Sequence, residues 1–270
     1  MKLLSLEDGP IEYQVWDGAQ RPGAPTLVML HEGLGCVAMW REFPRKLADF
    51  LGLRVVAYSR YGYGHSAPAR MPRSVAYMHD EALVVLPQFL RKLQIERPLL
   101  LGHSDGGSIA LIHASRHPVQ GVIALAPHVF VEELSVTSIA AAKVAYQNTN
   151  LRERLGRYHA DVDAAFWGWN DIWLHPDFRS WNIESFLRDI RCPVLVIQGT
   201  DDEYGTADQL GAIASGAGDV ELSLLSECRH SPHRDQPDRV LETVRAWISS
   251  KFGGAHAGDD RDIQITSPAQ

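Results

Sequence analysis

The sequence predicts an α/β protein in which a mostly parallel central sheet is flanked by helices. Short apolar runs alternate with segments of helical periodicity along most of the 270 residues, and this alternation is typical of repeated βαβ units. The runs are apolar at nearly every position, as expected for strands that helices cover on both faces. The length suffices for one large domain with an insertion, or for two small domains.

The predicted strands recur at regular intervals along the chain. They lie at residues 2–6, 11–16, 26–31, 53–59, 99–102, 121–126, 193–198 and 219–225. The first two are expected to form an antiparallel edge of the sheet. The predicted helices have apolar residues at helical spacing, and they end near residues 50, 93, 117, 215 and 252. Ser74 can cap the second of these helices, and Pro87 interrupts its pattern.

The alternation of strands and helices stops between about residues 127 and 191. Only helix-type and irregular sequence, rich in aromatic residues, is found there. We therefore expect a core formed by residues 1–127 and 189–252 and a helical insertion at 128–188. Residues 253–270 are polar and rich in glycine, and they are expected to form a flexible C-terminal tail.

Composition and charge exclude several classes of protein. The net charge is −7, and no run of Lys or Arg indicates binding to nucleic acid or to an anionic membrane. The apolar patch at the N-terminus is interrupted by charge within eight residues, too early for a signal peptide or a membrane span. The three cysteines are far apart, which argues against a disulfide framework or a zinc site. We expect a cytoplasmic protein.

The sequence Gly102-His-Ser104-Asp-Gly106 stands between a predicted strand and a predicted helix. This Gly-x-Ser-x-Gly pattern is that of a nucleophile elbow, in which a sharp strand-to-helix turn exposes the serine hydroxyl. The flanking positions must lack bulk because the turn brings their Cα atoms against neighbouring backbone. Ser104 is therefore a candidate nucleophile.

A nucleophilic serine needs a general base, and the base needs an acid that orients it. Asp201 and Asp202 follow the predicted strand at 193–198, and His230 and His233 follow the strand at 219–225. Active sites of open α/β sheets lie at the carboxyl ends of the strands, so both pairs are expected at that edge.

With these residues in the order Ser, Asp, His, the chain resembles the α/β-hydrolase superfamily over nearly all of residues 11–252. The markers of the resemblance are His31-Glu-Gly-Leu-Gly35, Ser59-Arg-Tyr-Gly-Tyr-Gly-His-Ser66, the elbow at Ser104, Gly199-Thr-Asp-Asp202 and Cys228-Arg-His230. The resemblance implies an α/β-hydrolase fold with a helical lid inserted before the last strands, at 128–188. It also implies Ser104 as nucleophile, Asp202 as acid and His230 as base, with Asp201 and His233 as the less favoured alternatives.

The resemblance further implies an oxyanion hole made by the backbone N–H groups of Gly33 and Asp105. His31 is expected to brace this loop. One position departs from the family, because Glu32 stands where a glycine is usual. Its carboxylate either turns away to a neighbouring loop, which we favour, or lines the site.

Aromatic residues are concentrated in the expected lid. They are Tyr146, Tyr158, Phe166, Trp167, Trp169, Trp173, Phe178, Trp181 and Phe186. Packing of a helical layer on the core explains most of them, and the rest are expected to line a pocket, with Trp167, Trp169 and Trp173 as candidates. The Trp-Gly-Trp spacing is interpreted as an extended segment from which either Trp167 or Trp169 points inward.

These features favour a serine hydrolase that cleaves carboxylic esters of small, largely apolar or aromatic substrates. One alternative is a carbon–carbon bond hydrolase of aromatic ring-cleavage products. Its substrates carry carboxylates, for which Arg60, Arg152, Arg188 or Arg229 could supply a cation. Another is a non-catalytic ligand-binding protein with a hydrolase fold. No cofactor, metal or nucleic-acid partner is expected, and the oligomeric state stays open.

Overall fold

The computed structural model describes residues 1–19 and 23–253, so the expected tail lies outside the described residues except for Gly253. The strands are β1 (Lys2–Leu6), β2 (Gly9–Asp17), β3 (Thr26–Leu30), β4 (Arg54–Tyr58), β5 (Leu99–His103), β6 (Gly121–Leu125), β7 (Val194–Gly199) and β8 (Val220–Leu225). In the described part of the chain these eight strands form one sheet, in the order β1-β2-β4-β3-β5-β6-β7-β8. The strands from β3 onward pair in parallel, whereas β1 and β2 pair antiparallel with their neighbours.

The helices lie between the strands. They are α1 (Phe43–Leu51), α2 (Tyr77–Asp80), α3 (Leu86–Lys92), α4 (Asp105–Ala114), α5 (Glu133–Asn148), α6 (Leu151–Leu155), α7 (Val162–Trp173), α8 (Glu184–Leu187), α9 (Asp208–Gly216), α10 (Pro232–Asp235) and α11 (Pro237–Phe252). Short 3₁₀ helices are found at Val37–Trp40 and Pro176–Ser180. The predicted fold class is confirmed by this alternation of helices with a mostly parallel sheet.

The helix predicted between Ser74 and residue 93 is divided into three pieces. The π-helical turn Glu81–Val85 separates α2 from α3. Pro87 follows at the start of α3. Since proline has no N–H to donate and its ring crowds the preceding turn, a regular α-helix cannot run through it without a local change of this kind.

The central strands are buried on both faces, which explains why they are apolar throughout. Val28 and Leu100 belong to one hydrophobic cluster, and Leu27 and Leu101 belong to the cluster on the other face. Successive side chains of a strand point to opposite faces, so each face needs its own apolar residues. The sheet thereby separates two cores and brings the loops after β3, β5, β6, β7 and β8 to one edge.

The chain between β6 and β7 contains α5 to α8 and no strand among its described residues. Aromatic residues of α7, among them Phe166 and Trp173, belong to the same hydrophobic cluster as Val28 and Leu100 of the sheet. The helical nature of this segment agrees with the sequence, while its division from the core as a lid at 128–188 stays a prediction. No described helix has the length and apolar character needed to cross a membrane.

Candidate active site

The serine of the Gly-x-Ser-x-Gly sequence lies in a strained turn between β5 and α4. Ser104 has φ 53° and ψ −120°, a conformation that costs a non-glycine residue roughly 1–3 kcal/mol. A Cβ on Gly102 would lie 2.1 Å from the carbonyl oxygen of Gly106. A Cβ on Gly106 would lie 2.0 Å from the carbonyl oxygen of Leu30. Both positions therefore need glycine, and the turn holds the hydroxyl above the start of the helix.

Ser104, His230 and Asp202 form a chain of hydrogen bonds. The Nε2 atom of His230 lies 3.0 Å from Oγ of Ser104, and its Nδ1 lies 2.8 Å from Oδ1 of Asp202. A carboxylate can only accept, so Nδ1 carries the proton and Nε2 is left to accept from the serine hydroxyl. The serine therefore faces a base in the tautomer that can remove its proton.

Asp202 is held by its own loop as well as by His230. Its Oδ1 accepts the backbone N–H groups of Tyr204 (2.8 Å) and Gly205 (3.2 Å), and its Oδ2 accepts Nε2 of Gln198 (3.1 Å). Burial alone would raise the pKa of this carboxyl, but the hydrogen bond and charge of His230 hold it below its usual value. Asp201 is exposed and its carboxylate accepts from Thr200 instead.

His233, the alternative base, lies behind the site rather than in it. Its ring packs on Trp40 and Phe43 at centroid distances of 4.8 and 5.4 Å. Burial lowers its pKa well below the usual value, and neither ring nitrogen has a hydrogen-bond partner among the described residues. His230, not His233, is therefore the histidine that the fold brings to Ser104.

Two backbone N–H groups of the expected oxyanion hole are free to donate. In the described part of the chain, neither Gly33 nor Asp105 donates its backbone N–H to a protein acceptor. Asp105 opens helix α4, where backbone N–H groups have no partner within the helix. His31, which was expected to brace this loop, is fully buried, and its Nδ1 lies 2.7 Å from the carbonyl oxygen of Glu32.

The Glu32 carboxylate is turned towards helix α10 and the end of strand β5. Its Oε1 accepts Nη2 of Arg234 at 3.2 Å, and its Oε2 lies 3.6 Å from Nδ1 of His103. His103 donates through Nε2 to the backbone oxygen of His230 at 2.8 Å. Burial would raise the pKa of Glu32, but His103 and Arg234 hold it well below its usual value. The carboxylate is therefore turned towards neighbouring elements, as in the favoured alternative, but its partners lie on a helix and at a strand end rather than on a loop.

The tryptophan candidates lie on a helix, so the interpretation of an extended Trp-Gly-Trp segment was wrong. Trp167 and Trp169 both belong to α7. Residues of an α-helix turn by about 100° each, which puts these two side chains about 200° apart on opposite faces. Apolar residues spaced for a helix can be mistaken for an extended segment when a glycine stands between them.

The inner face of α7 meets the catalytic loops. A Cβ on Gly33 would lie 2.1 Å from Nε1 of Trp169, so the indole packs directly on this loop. Trp173 donates through Nε1 to the Tyr77 hydroxyl at 3.0 Å, and that hydroxyl donates to Oδ2 of Asp105 at 2.7 Å. Trp167 lies on the outer face, where the ammonium of Lys143 stands 5.6 Å from its ring.

A mainly apolar cavity beside α7 is not lined by Ser104. It has a volume of about 460 Å³, and its walls include Met71, Arg73, Trp167 and Ile172. Ser104 is not among the lining residues. This cavity follows the outer face of α7, so it is distinct from the surroundings of Ser104.

The arginines proposed as partners for a substrate carboxylate are engaged elsewhere or exposed. Arg60 is buried and its Nη1 lies 3.6 Å from Oδ2 of Asp105. Arg152 pairs with Asp163, and Arg229 pairs with Glu203. Arg188 is exposed.

Sequence reasoning missed several polar residues around the site. His128 follows β6, and its ring centroid lies 5.8 Å from that of His230. Burial lowers the pKa of His128 to about 4, so its ring is neutral near pH 7. Gln198, in the otherwise apolar strand β7, binds Asp202. Both residues stand at carboxyl ends of parallel strands, and that position was the signal that could have found them. Nothing in the sequence indicated that Tyr77 reaches Asp105.

The cysteines are not candidates for the nucleophile. Cys36 and Cys228 are buried, Cys192 is half-buried, and all are free thiols. Burial raises the pKa of Cys36 to about 12 and those of Cys192 and Cys228 to about 11. Their thiolate forms are therefore scarce near pH 7.

Comparison with known proteins gives relatives with hydrolytic activities. A model of the alpha/beta hydrolase family matches residues 27–243. A proline iminopeptidase of Lactobacillus delbrueckii subsp. bulgaricus is 23% identical over 83% of this chain and 90% of the relative. A 2-hydroxy-6-oxo-6-phenylhexa-2,4-dienoate hydrolase of Comamonas testosteroni is 25% identical over 79% of this chain and 84% of the relative. The crystal structure of an enol-lactonase from Burkholderia xenovorans LB400 superposes with a TM-score of 0.73 at 20% identity, covering 92% of this chain and all of that one.

Proposed function

The chain belongs to the α/β-hydrolase family, and on this premise we propose that it is a serine hydrolase that cleaves carboxylic esters of small, largely apolar or aromatic compounds. The observation that carries the proposal is the hydrogen-bonded chain from Ser104 through His230 to Asp202, with spacings of 3.0 and 2.8 Å. A serine, a base and an orienting acid at these distances can activate the hydroxyl for attack on an acyl group.

In the first half of the reaction, Oγ of Ser104 attacks the ester carbonyl carbon while its proton passes to Nε2 of His230. Asp202 stabilises the imidazolium that forms. The carbonyl oxygen becomes an oxyanion that accepts the backbone N–H groups of Gly33 and Asp105. The bond to the alcohol oxygen then breaks, the alcohol takes the proton from His230, and the acyl group stays on Ser104.

In the second half, a water molecule replaces the alcohol. His230 removes a proton from the water as its oxygen attacks the acyl carbon, and the same N–H groups accept the second oxyanion. The bond to Oγ breaks, the proton returns from His230 to Ser104, and the carboxylic acid leaves. One ester and one water are thus converted to an acid and an alcohol.

The side chains around the site support a neutral, apolar substrate. The indole of Trp169 packs on the Gly33 loop and Trp173 is buried beside it. Arg60 is paired with Asp105, and the exposed arginines named above are paired at the surface or point to solvent. A substrate that depended on a carboxylate contact would need a cation in the pocket, and these arginines do not supply one.

Carbon–carbon bond cleavage of a ring-cleavage product is the second candidate. The observation that favours it is the likeness to the Comamonas testosteroni hydrolase. The same serine, histidine and aspartate would serve there. A non-catalytic binding role is disfavoured, because binding alone does not require the three side chains to be aligned as an acid, a base and a nucleophile.

A fluorophosphonate probe tests the proposal. We expect it to label the wild-type protein, and not Ser104→Ala, with loss of p-nitrophenyl ester hydrolysis by several orders of magnitude in that variant. Ser115→Ala is the matched control, since Ser115 is a buried serine at the far end of α4 that donates to the backbone oxygen of Ile112. It should keep labelling and turnover.

The same protein is then assayed on acetyl and hexanoyl esters and on a 2-hydroxy-6-oxo-dienoate. Faster turnover of the dienoate than of every ester would replace the proposal by the second candidate. A folded wild-type protein without labelling or turnover would support a binding protein.

A further inference from the structure

Arg60 is a buried cation immediately after β4, and its contacts converge on the oxyanion loops. Its side chain is 3% exposed. Its Nη2 donates to the carbonyl oxygen of Glu32 at 2.8 Å, and its Nη1 lies 3.6 Å from Oδ2 of Asp105. A guanidinium is charged at every accessible pH. A permanent charge in a dry environment therefore stands behind both loops.

His31 completes the contact with Glu32 from the other side. The backbone N–H of Arg60 donates to Nε2 of His31 at 3.0 Å, so the imidazole proton is on Nδ1. Nδ1 then donates to the same Glu32 carbonyl oxygen at 2.7 Å. Burial lowers the pKa of His31 well below its usual value, in agreement with a neutral ring. The backbone N–H of Gly35 also donates to this oxygen, at 3.1 Å, so the Glu32 carbonyl accepts two neutral donors and one charged donor.

The carbonyl of Glu32 and the N–H of Gly33 belong to one planar peptide group. The donors that fix the carbonyl also fix the direction of the N–H, which points the opposite way across a trans peptide. Hydrogen bonds in series polarise one another, so a charge-assisted bond to the oxygen strengthens donation by the nitrogen. We propose that Arg60 is a positioning residue that orients and polarises the oxyanion donors of Gly33 and Asp105. This inference rests on the proposed function.

The second donor is reached through the side chain of Asp105. Its carboxylate lies 3.6 Å from Arg60 and accepts the Tyr77 hydroxyl, while none of the described residues accepts its backbone N–H. An unpaired carboxylate beside an oxyanion would oppose the negative charge that develops during the reaction. Arg60 neutralises that carboxylate, so its charge acts on this donor as well as on Gly33.

The test is the steady-state kinetics of Arg60→Lys, Arg60→Met and the double variant Arg60→Met with Asp105→Asn. The double variant removes both charges of the buried pair, so no charge is left unpaired. It is therefore expected to fold even if Arg60→Met alone does not. We expect kcat to fall about 10- to 100-fold with little change in KM, less than the roughly 10²- to 10³-fold lost with a whole oxyanion donor. Arg60→Lys should recover part of kcat, because it keeps the charge without the planar fork.

A phenylboronic acid supplies a second readout, since its serine adduct is a tetrahedral anion. Its inhibition constant should rise in each variant by the same factor as kcat/KM falls. Arg116→Met is the matched control: the Arg116 guanidinium lies 5.1 Å from the ring of Phe186, and its Nη1 pairs with Asp189 rather than with a residue of an oxyanion loop. This control should leave kcat within about 3-fold of wild type, well below the loss of a catalytic donor.

Different results would overturn the role of Arg60 and the proposed function of the protein. If the double variant folds and keeps the wild-type kcat and boronate affinity while Ser104→Ala is inactive, the role of Arg60 is overturned and the proposed function stands. A rise in KM alone, with kcat unchanged, also overturns it. If the wild-type protein hydrolyses no ester and takes no probe, the proposed function itself fails.

Discussion

Two regions meet at Ser104, and they are held by different forces. On the sheet side, buried polar groups are joined by directional hydrogen bonds, such as those of Asp202 with His230, Gln198 and Tyr204. On the side of α7, aromatic rings pack on one another, as Phe166 does on Tyr146 with ring centroids 3.7 Å apart. Directional bonds fix the positions of reacting atoms, whereas apolar packing selects by size and shape. We therefore expect polar substitutions to act on rate and aromatic ones on substrate choice.

The largest of the expected effects in this comparison concerns the acid on the sheet side. Asp202→Asn should lower kcat by about 10⁴-fold, because an amide favours the wrong tautomer of the histidine. Asp201→Asn is the control, since Asp201 is a neighbouring, exposed carboxylate. It should change kcat only modestly. Stopped-flow or steady-state assays with an activated ester separate the two, and the reverse ranking would refute the assignment of Asp202.

A smaller effect is expected on the aromatic side. Trp169→Leu should change kcat/KM for a long ester relative to a short one by about 10- to 200-fold, as for a lost apolar contact. Trp167→Leu is the control on the outer face of α7, and it should leave that ratio unchanged. Melting temperatures measured beside the kinetics show whether either variant only loses stability. Equal ratios in both variants would mean that the inner face of α7 does not select the substrate.

The smallest expected effect concerns the Glu32 carboxylate. It tests whether the negative charge of this group contributes to the free energy of unfolding. Glu32→Gln should lower the free energy of unfolding near pH 7 by about 1–3 kcal/mol, because Arg234 loses its charged acceptor and the negative charge beside His103 is removed. The folded pKa of Glu32 lies below its unfolded value of about 4.3, so the contribution is complete above that value. It is lost as the pH falls through the lower, folded pKa.

Urea unfolding of wild type and Glu32→Gln at a series of pH values checks this prediction. The gap between the two proteins should be constant above about pH 5 and close as the solution becomes more acidic. Glu184→Gln is a suitable control, since Glu184 is exposed and contacts the side chain of Asn182. A gap that does not depend on pH would show that the Glu32 charge is not the source of the stability.

Most of the fold could be predicted because the strands carry an unambiguous signal. The runs at 26–31 and 121–126 are apolar, short and bounded by breaks, and they match β3 and β6 within one residue. Irregular turns within helices could not be predicted. The π-helical turn Glu81–Val85 depends on how Pro87 is accommodated in three dimensions, and a periodic pattern contains no information on that.

Some residues of the candidate site could be predicted from the sequence and others could not. Ser104, Asp202 and His230 follow strand ends, and their spacing in the sequence pointed to the positions where the structure has them in contact. Arg60 and Tyr77 could not be assigned, because their partners are 28 residues or more away in the chain and only packing shows which contact is made. The sequence therefore predicts the positions of functional residues that directly follow strands. It predicts less well which partners the long side chains contact on other elements.

The contact between Gly33 and Trp169 joins two residues that lie far apart in the sequence. Any Cβ at position 33 would lie 2.1 Å from Nε1 of this tryptophan, so the loop cannot accept a larger residue while the indole is present. A smaller residue at 169 would free that space, and only then could position 33 vary. Positions 33 and 169 are therefore sterically coupled, so a substitution at 169 in α7 also alters which residues the Gly33 loop can accept.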